Sequence, residues 1–213
     1  MKPGQLNLNW FDVVVCGALL VGLIRGRLRG MSAELLPLLQ WLLVISVGAH
    51  TYIYLGRALD SVSGLGATFC NISAYLLEAL ILTWAFTALK HTLGDRILTA
   101  DAFGKNEYLI GMAGGMLRYA AILVFGLALL NAFYVSDDQK AANIKMQRDN
   151  FGKVYFPTLG LLQDQVFHRS LTGPILTRHL STLLLRPAGA PGPRTWPTLG
   201  QRRQQELDQI TGK

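Results

Sequence analysis

Charge is what this sequence has least of. Only 15% of its 213 residues are Asp, Glu, Lys or Arg, where a water-soluble domain carries about 25%. Acids are the scarcer sign, 13 against 20 basic residues, for a net charge of +7. There are two cysteines, Cys16 and Cys70, with no CxxC spacing and no ladder of partners. They read as small buried residues rather than a disulfide or metal framework. His50, His91, His168 and His179 stand apart, with no close His, Cys or acid at ligand spacing, so no metal site is expected. Neither a GxxxxGK[ST] nor a GxGxxG loop is present, and no G-x-S-x-G elbow, which removes the usual phosphate cradles and the commonest nucleophile turn. No enzyme and no cofactor are expected. No fixed-period repeat appears either.

What is there instead is apolar length. Hydrophobic residues make up 51% of the chain and the mean hydropathy is +0.31, which points to a membrane. Four apolar runs fall at about 10–24, 32–55, 66–89 and 108–135. A crossing helix needs about 20 residues, so each run spans except the first, which either crosses as a short helix or enters without crossing. The polar stretches between them are short, the pattern of antiparallel helices in a bilayer. A mixed-charge loop is expected over 90–107.

The fold class expected is therefore all-α: a polytopic membrane helical bundle of about four helices over residues 1–135. After it, 136–185 reads as an amphipathic helical tail. Leu159, Leu162 and Val166, then Ile175, Leu176, Leu180, Leu183 and Leu184, recur at helical spacing, and Pro174 separates or starts one of the helices. The Pro/Gly-rich stretch from Arg186 makes 186–213 a flexible C-terminus.

Between the first two runs lies GLIRGRLRGMSAELL, Gly22 to Leu36. Arg25, Arg27 and Arg29 at a turn between membrane helices reach phosphate headgroups, with Gly26 and Gly30 freeing the backbone. The positive-inside rule puts this turn and the 90–107 stretch in the cytoplasm and the tail outside; Lys140, Lys145, Arg148 and Lys153 pull against that last step, and a first run that does not cross reverses the orientation. No aromatic residues interleave the arginines for base stacking, so nucleic acid is not expected as a partner.

In the fourth run Gly111 and Gly115 are four apart, a spacing that lets helices approach closely, and Arg118 follows one turn later. Taken with Trp10-Phe-Asp12, Gly17, Gly22, Arg25-Gly26, Arg29, Glu34 and Trp41, these residues resemble the colicin V production protein (CvpA-like) family. The first block is similar to that family's G-x-x-R-G-x-x-R-E turn, with Gly30 where the acid usually stands and Glu34 four positions on. The second is similar to its G-x-x-x-G-x-x-R-G, with Tyr119 in place of the last glycine and Glu107-Tyr108 in place of Asp-Arg. The tail adds Ser170 and Pro174. The resemblance implies a multi-pass bacterial inner-membrane protein that supports toxin production or secretion, or envelope homeostasis, through partners.

Two charges lie deep in apolar runs, Glu78 and Arg118, and each needs a partner there. If they face a common aqueous cavity, the protein is a small channel or transporter with an ion or proton path. If they are packed shut, they are structural. Asp12 is expected to cap the first helix or sit at an interface. The partners expected are the lipid bilayer, other membrane or envelope proteins, and a second copy through the Gly111 and Gly115 face; the spacing alone leaves internal packing of that face equally open.

Overall fold

The computed structural model describes residues 9–99, 104–133, 135, 137–151 and 158–187. Among these the chain is helical, with no strand. Helix α1 covers Trp10–Ser63, α2 Ala67–Thr99, α3 Glu107–Asn131, α4 Asp137–Phe151, α5 Leu159–Phe167 and α6 Thr172–Leu180; a 3-10 turn, Gly104–Asn106, leads into α3.

Helix α1 is two helices joined at one residue. Gly30 sits at φ 75° and ψ 167°, a region essentially closed to residues with a Cβ. The limb 10–29 runs antiparallel to α3: Gly22 meets Gly115, Gly26 meets Gly111 and Gly30 meets Glu107. The limb 31–63 runs parallel to it, with Met31 against Gly114, Glu34 against Arg118 and Trp41 against Phe125. The chain therefore reverses at Gly30, and Phe11 near one end of α1 returns to the same core cluster as Tyr52. Arg25, Arg27 and Arg29 are not in a loop, as expected from sequence, but on the last turns of the first limb.

Gly64, left-handed at φ 62° and ψ 16°, ends α1 by donating to the Asp60 carbonyl, as glycine does at helix C-termini. Helix α2 then folds back antiparallel along the second limb, with Gly56 against Asn71, Gly48 against Tyr75 and Gln40 donating to Thr83 at 3.1 Å. The residues of the expected 90–107 loop are largely helical, since α2 continues to Thr99. Polarity limits how deep a helix lies in lipid, not whether its backbone bonds close on themselves.

The tail covers one end of this bundle. Val166, Phe167, Leu184 and Leu185 complete a core with Phe11, Tyr52, Tyr75, Leu127, Ala128 and Ala132. Helices α5 and α6 carry Leu159, Leu162, Val166, Ile175, Leu176 and Leu180 of the spaced apolar set, whereas Leu183 and Leu184 fall in the turn after α6; Pro174 lies in the first turn of α6. Helix α4 is different from the amphipathic reading of 136–185, being polar on all sides rather than striped. Of the expected flexible C-terminus, 188–213 lies outside the described residues. Cys70 is buried but Cys16 is exposed.

Among the described residues two helical stretches, Ala67–Thr92 and Glu107–Asn131, are long and apolar enough to cross a membrane. This is fewer than the four runs read from sequence. Within the first run's helix, Asp12 and the three arginines dilute the apolar character.

Candidate functional site

Three glycines on α1, Gly22, Gly26 and Gly30, fall four residues apart, and so do Gly111 and Gly115 on α3. Each set makes a flat strip along its helix. A Cβ on Gly22 would lie 2.6 Å from the Gly115 carbonyl oxygen, and one on Gly111 2.6 Å from that of Gly26. Gly26 and Gly115 would collide in the same way with the Gly111 and Gly22 carbonyls. Backbone meets backbone, so no side chain can be added without separating the helices. The Gly111 and Gly115 face is thus packed on α1 of the same chain, one of the two uses the spacing left open. Gly26, expected to free a turn, serves close approach instead.

This contact brings Arg118, one turn past Gly115, to Glu34, one turn past the reversal. Arg118 Nη1 lies 2.5 Å from Glu34 Oε2. Glu34 is fully buried and Arg118 is 7% exposed, so the pair is shielded from solvent and its attraction is stronger than at a surface. The contact is an ion pair without hydrogen-bond geometry: neither Glu34 oxygen nor Arg118 Nε has a hydrogen-bond partner among the described residues. Arg118 also lies 5.0 Å from the Tyr119 ring centroid, and Arg29 Nη1 stands 3.9 Å from Glu34 Oε1 with its side chain half-exposed. Arg25 and Arg27 are exposed on the outer side of the same limb.

Glu78 belongs to a different place. It is half-buried between α2 and the second limb of α1, where the Thr51 hydroxyl donates to its two oxygens at 2.6 and 2.5 Å. The two charges singled out in the apolar runs are therefore not brought together; Arg118 takes Glu34 instead. Glu34 lies at the start of the second run, where the sequence marks it only as part of the resembled turn and not as a partner for Arg118. The repeat Gly22, Gly26, Gly30 was the signal for that pairing, because it aligns the first limb with α3.

Asp12 does more than cap α1. Its carboxylate accepts from the Asn9 N–H at 3.0 Å, completing a capping box. It also accepts from the Leu171 and Thr172 N–H groups at 3.0 to 3.1 Å and from the Thr172 hydroxyl at 2.8 Å. One buried carboxylate thus closes two helix starts, α1 and α6. Asn9 Nδ2 and Trp10 Nε1 add bonds to Gln165 at 2.9 and 2.5 Å.

A family model described as "Colicin V production protein" matches residues 11–148. The chain belongs to the colicin V production protein family. That match takes in both glycine strips, Glu34, Arg118 and Asp12, and stops short of α5 and α6. Membership makes the chain a member of a membrane-associated family, in keeping with its two apolar helices. No curated protein and no solved structure matches it.

Proposed function

We propose that this member of the colicin V production family is a multi-pass inner-membrane protein without enzymatic activity, supporting toxin production or secretion, or envelope homeostasis, by holding partners. Its membrane part is a four-segment bundle: the first limb of α1 from Val13 on, the second limb, α2 and α3. From Val13 to Arg29 the first limb is about 26 Å long at 1.5 Å per residue, somewhat short of a hydrocarbon core of about 30 Å, and the arginine stems reach the rest of the way to the headgroups. The exposed Arg25, Arg27 and Arg29 then sit at one headgroup layer and the tail at the other.

The observation that carries a scaffold over a conduit is the closed ion pair. Arg118 is spent on Glu34 inside a glycine-lined contact, whereas an ion path through Glu78 and Arg118 needs both on one aqueous cavity. Replacement of Glu78 by Gln is expected to leave membrane insertion and the associated secretion or envelope phenotype intact. Loss of phenotype with normal insertion would favour the channel or transporter reading instead.

Topology is tested separately, with single thiols in a cysteine-free background, one in the 104–106 turn and one in α6. The four-segment bundle expects these two sites to label from opposite sides of intact cells. Labelling of both from one side would reject it.

A further inference from the structure

A cavity of about 370 Å³ opens where the C-terminal end of α3 meets the tail, bounded by Phe133, Phe167 and Pro174 among its apolar walls and by Asn131, Gln163 and Asp164 among its polar ones. Its size falls within the range of small-molecule sites, about 300–1,000 Å³. None of these residues takes part in the glycine contact or the Glu34–Arg118 pair. The cavity is separate from the site above and does not depend on the function proposed for it.

We propose that this cavity binds a cation carried on an apolar stem, an alkylammonium or guanidinium group, either as a free amine or as a Lys or Arg side chain of a partner. Helices α3 and α5 both end at the cavity, at Asn131 and Phe167, and the C-terminal end of a helix carries partial negative charge; the positive start of α6, near Pro174, is already met by the Asp12 carboxylate. Of the two amides lining it, Gln163 has spent both donors on the protein and Asn131 one of its two. Gln163 Nε2 donates to the Leu130 and Phe133 carbonyls, both at 2.7 Å, and Asn131 Nδ2 to the Leu185 carbonyl at 2.9 Å. Among the described residues nothing donates to the acceptor oxygens of these two amides, and Asp164 adds a carboxylate; His168 and Thr177 are further polar groups of the lining. Phe133, Phe167 and Pro174 offer the apolar surface for the stem.

The chain itself demonstrates the charge preference of Asp164. Arg169 reaches Asp164 Oδ2 through Nε at 2.8 Å from outside the cavity wall, with 72% of its side chain exposed. So exposed a pair is weak and easily displaced. Arg169 therefore competes with a ligand for the carboxylate without blocking the cavity.

The test is equilibrium dialysis of the full-length protein in lipid nanodiscs against spermidine, Nα-acetyl-lysinamide and the neutral Nα-acetyl-norleucinamide. The two cationic probes are expected to bind saturably, and the neutral one about tenfold or more weakly, the discrimination expected when a charge partner is lost. Asp164→Asn should weaken the cationic probes by a similar factor, whereas Arg169→Gln should tighten them by removing the internal competitor. Binding of spermidine alone assigns the cavity to free amines; binding of the lysine probe as well extends it to a partner's side chain. Equal binding of the neutral probe, no saturable binding of either cation, or an Arg169→Gln variant no tighter than the parent would overturn the proposal.

Discussion

Glu34 and Arg118 neutralise each other inside the bundle, one fully buried and the other nearly so. The pair sits where α1 reverses against α3. Replacing Glu34 with Gln keeps the shape but leaves a buried guanidinium unpaired, which costs about 3–5 kcal/mol. The double replacement Glu34→Gln with Arg118→Gln removes both charges and should recover a large part of that loss. A double-mutant cycle on unfolding in mixed detergent micelles measures the coupling. Additive effects of the two single changes would mean that the pair contributes no mutual stabilisation.

The glycine strips set a second expectation. Gly26→Ala, Gly111→Ala or Gly115→Ala would drive a methyl group into a carbonyl of the facing helix, and backbone cannot step aside as a flexible side chain can. Overpacking of this kind costs about 1–3 kcal/mol. Gly17 and Gly126 are the matched controls, since a Cβ at either meets nothing within 4 Å; alanine there should be neutral or slightly stabilising in a helix. Thermal unfolding of the five variants side by side reads the difference. Similar melting points for Gly26→Ala and Gly17→Ala would remove the close contact from the account.

Much of this site was legible in the sequence, and the part that was not has a physical cause. The all-α class followed from apolar run lengths, and the family from two motif blocks. The glycine spacing at 111 and 115 announced a helix contact, yet spacing describes one helix face and says nothing of what fills it. Arg118 announced a need for an acid, but Asp12, Glu34 and Glu78 all lie in apolar runs, and only the register of α1 on α3 selects Glu34. The run of arginines read as a loop because charge usually marks one; here the reversal is compressed into Gly30 and the arginines stay helical. The role of Asp12 was half visible. Its capping of α1 is local, while its bonds to Leu171 and Thr172 join residues about 160 positions apart, a separation no local pattern reports.

Gly30 stands where the turn it resembles usually has an acid, and its backbone disfavours any residue with a Cβ. At φ 75° and ψ 167° a residue with a Cβ pays about 1–3 kcal/mol in strain. Gly30→Ala should therefore destabilise the protein by that order, and Gly30→Glu at least as much. A Cβ at Gly30 would lie 2.7 Å from Glu107 Oε1, but that is the tip of a flexible side chain, so strain rather than collision dominates. Shortening Glu107 in a Gly30→Ala, Glu107→Ala double variant should accordingly give little recovery of the melting point. Full recovery would assign the cost to the clash instead.

Asp12 ties the tail to the bundle, just outside the membrane segments proposed above. Burial raises its pKa, but hydrogen bonds from Asn9, Leu171 and Thr172 outweigh that and hold it below the ordinary carboxylate value. The sign of the linkage follows: a lowered folded pKa means the ionised group stabilises the docked tail. That contribution is fully present above the unfolded value, about 3.9, and is lost as pH falls through the lower folded one. Asp12→Asn imitates the loss at neutral pH and adds an amide whose N–H groups face the N–H donors of Leu171 and Thr172. Loss of charge-assisted hydrogen bonds of this kind costs about 1.5–3 kcal/mol. Limited proteolysis of the tail should therefore speed up in Asp12→Asn at pH 7, with the parent's protection falling only in strong acid. The variant's tail should also lose its acid-dependent step, because the group that titrates is gone. Equal tail protection in parent and variant at neutral pH would show that the apolar contacts of Val166, Phe167, Leu184 and Leu185 hold the tail without Asp12.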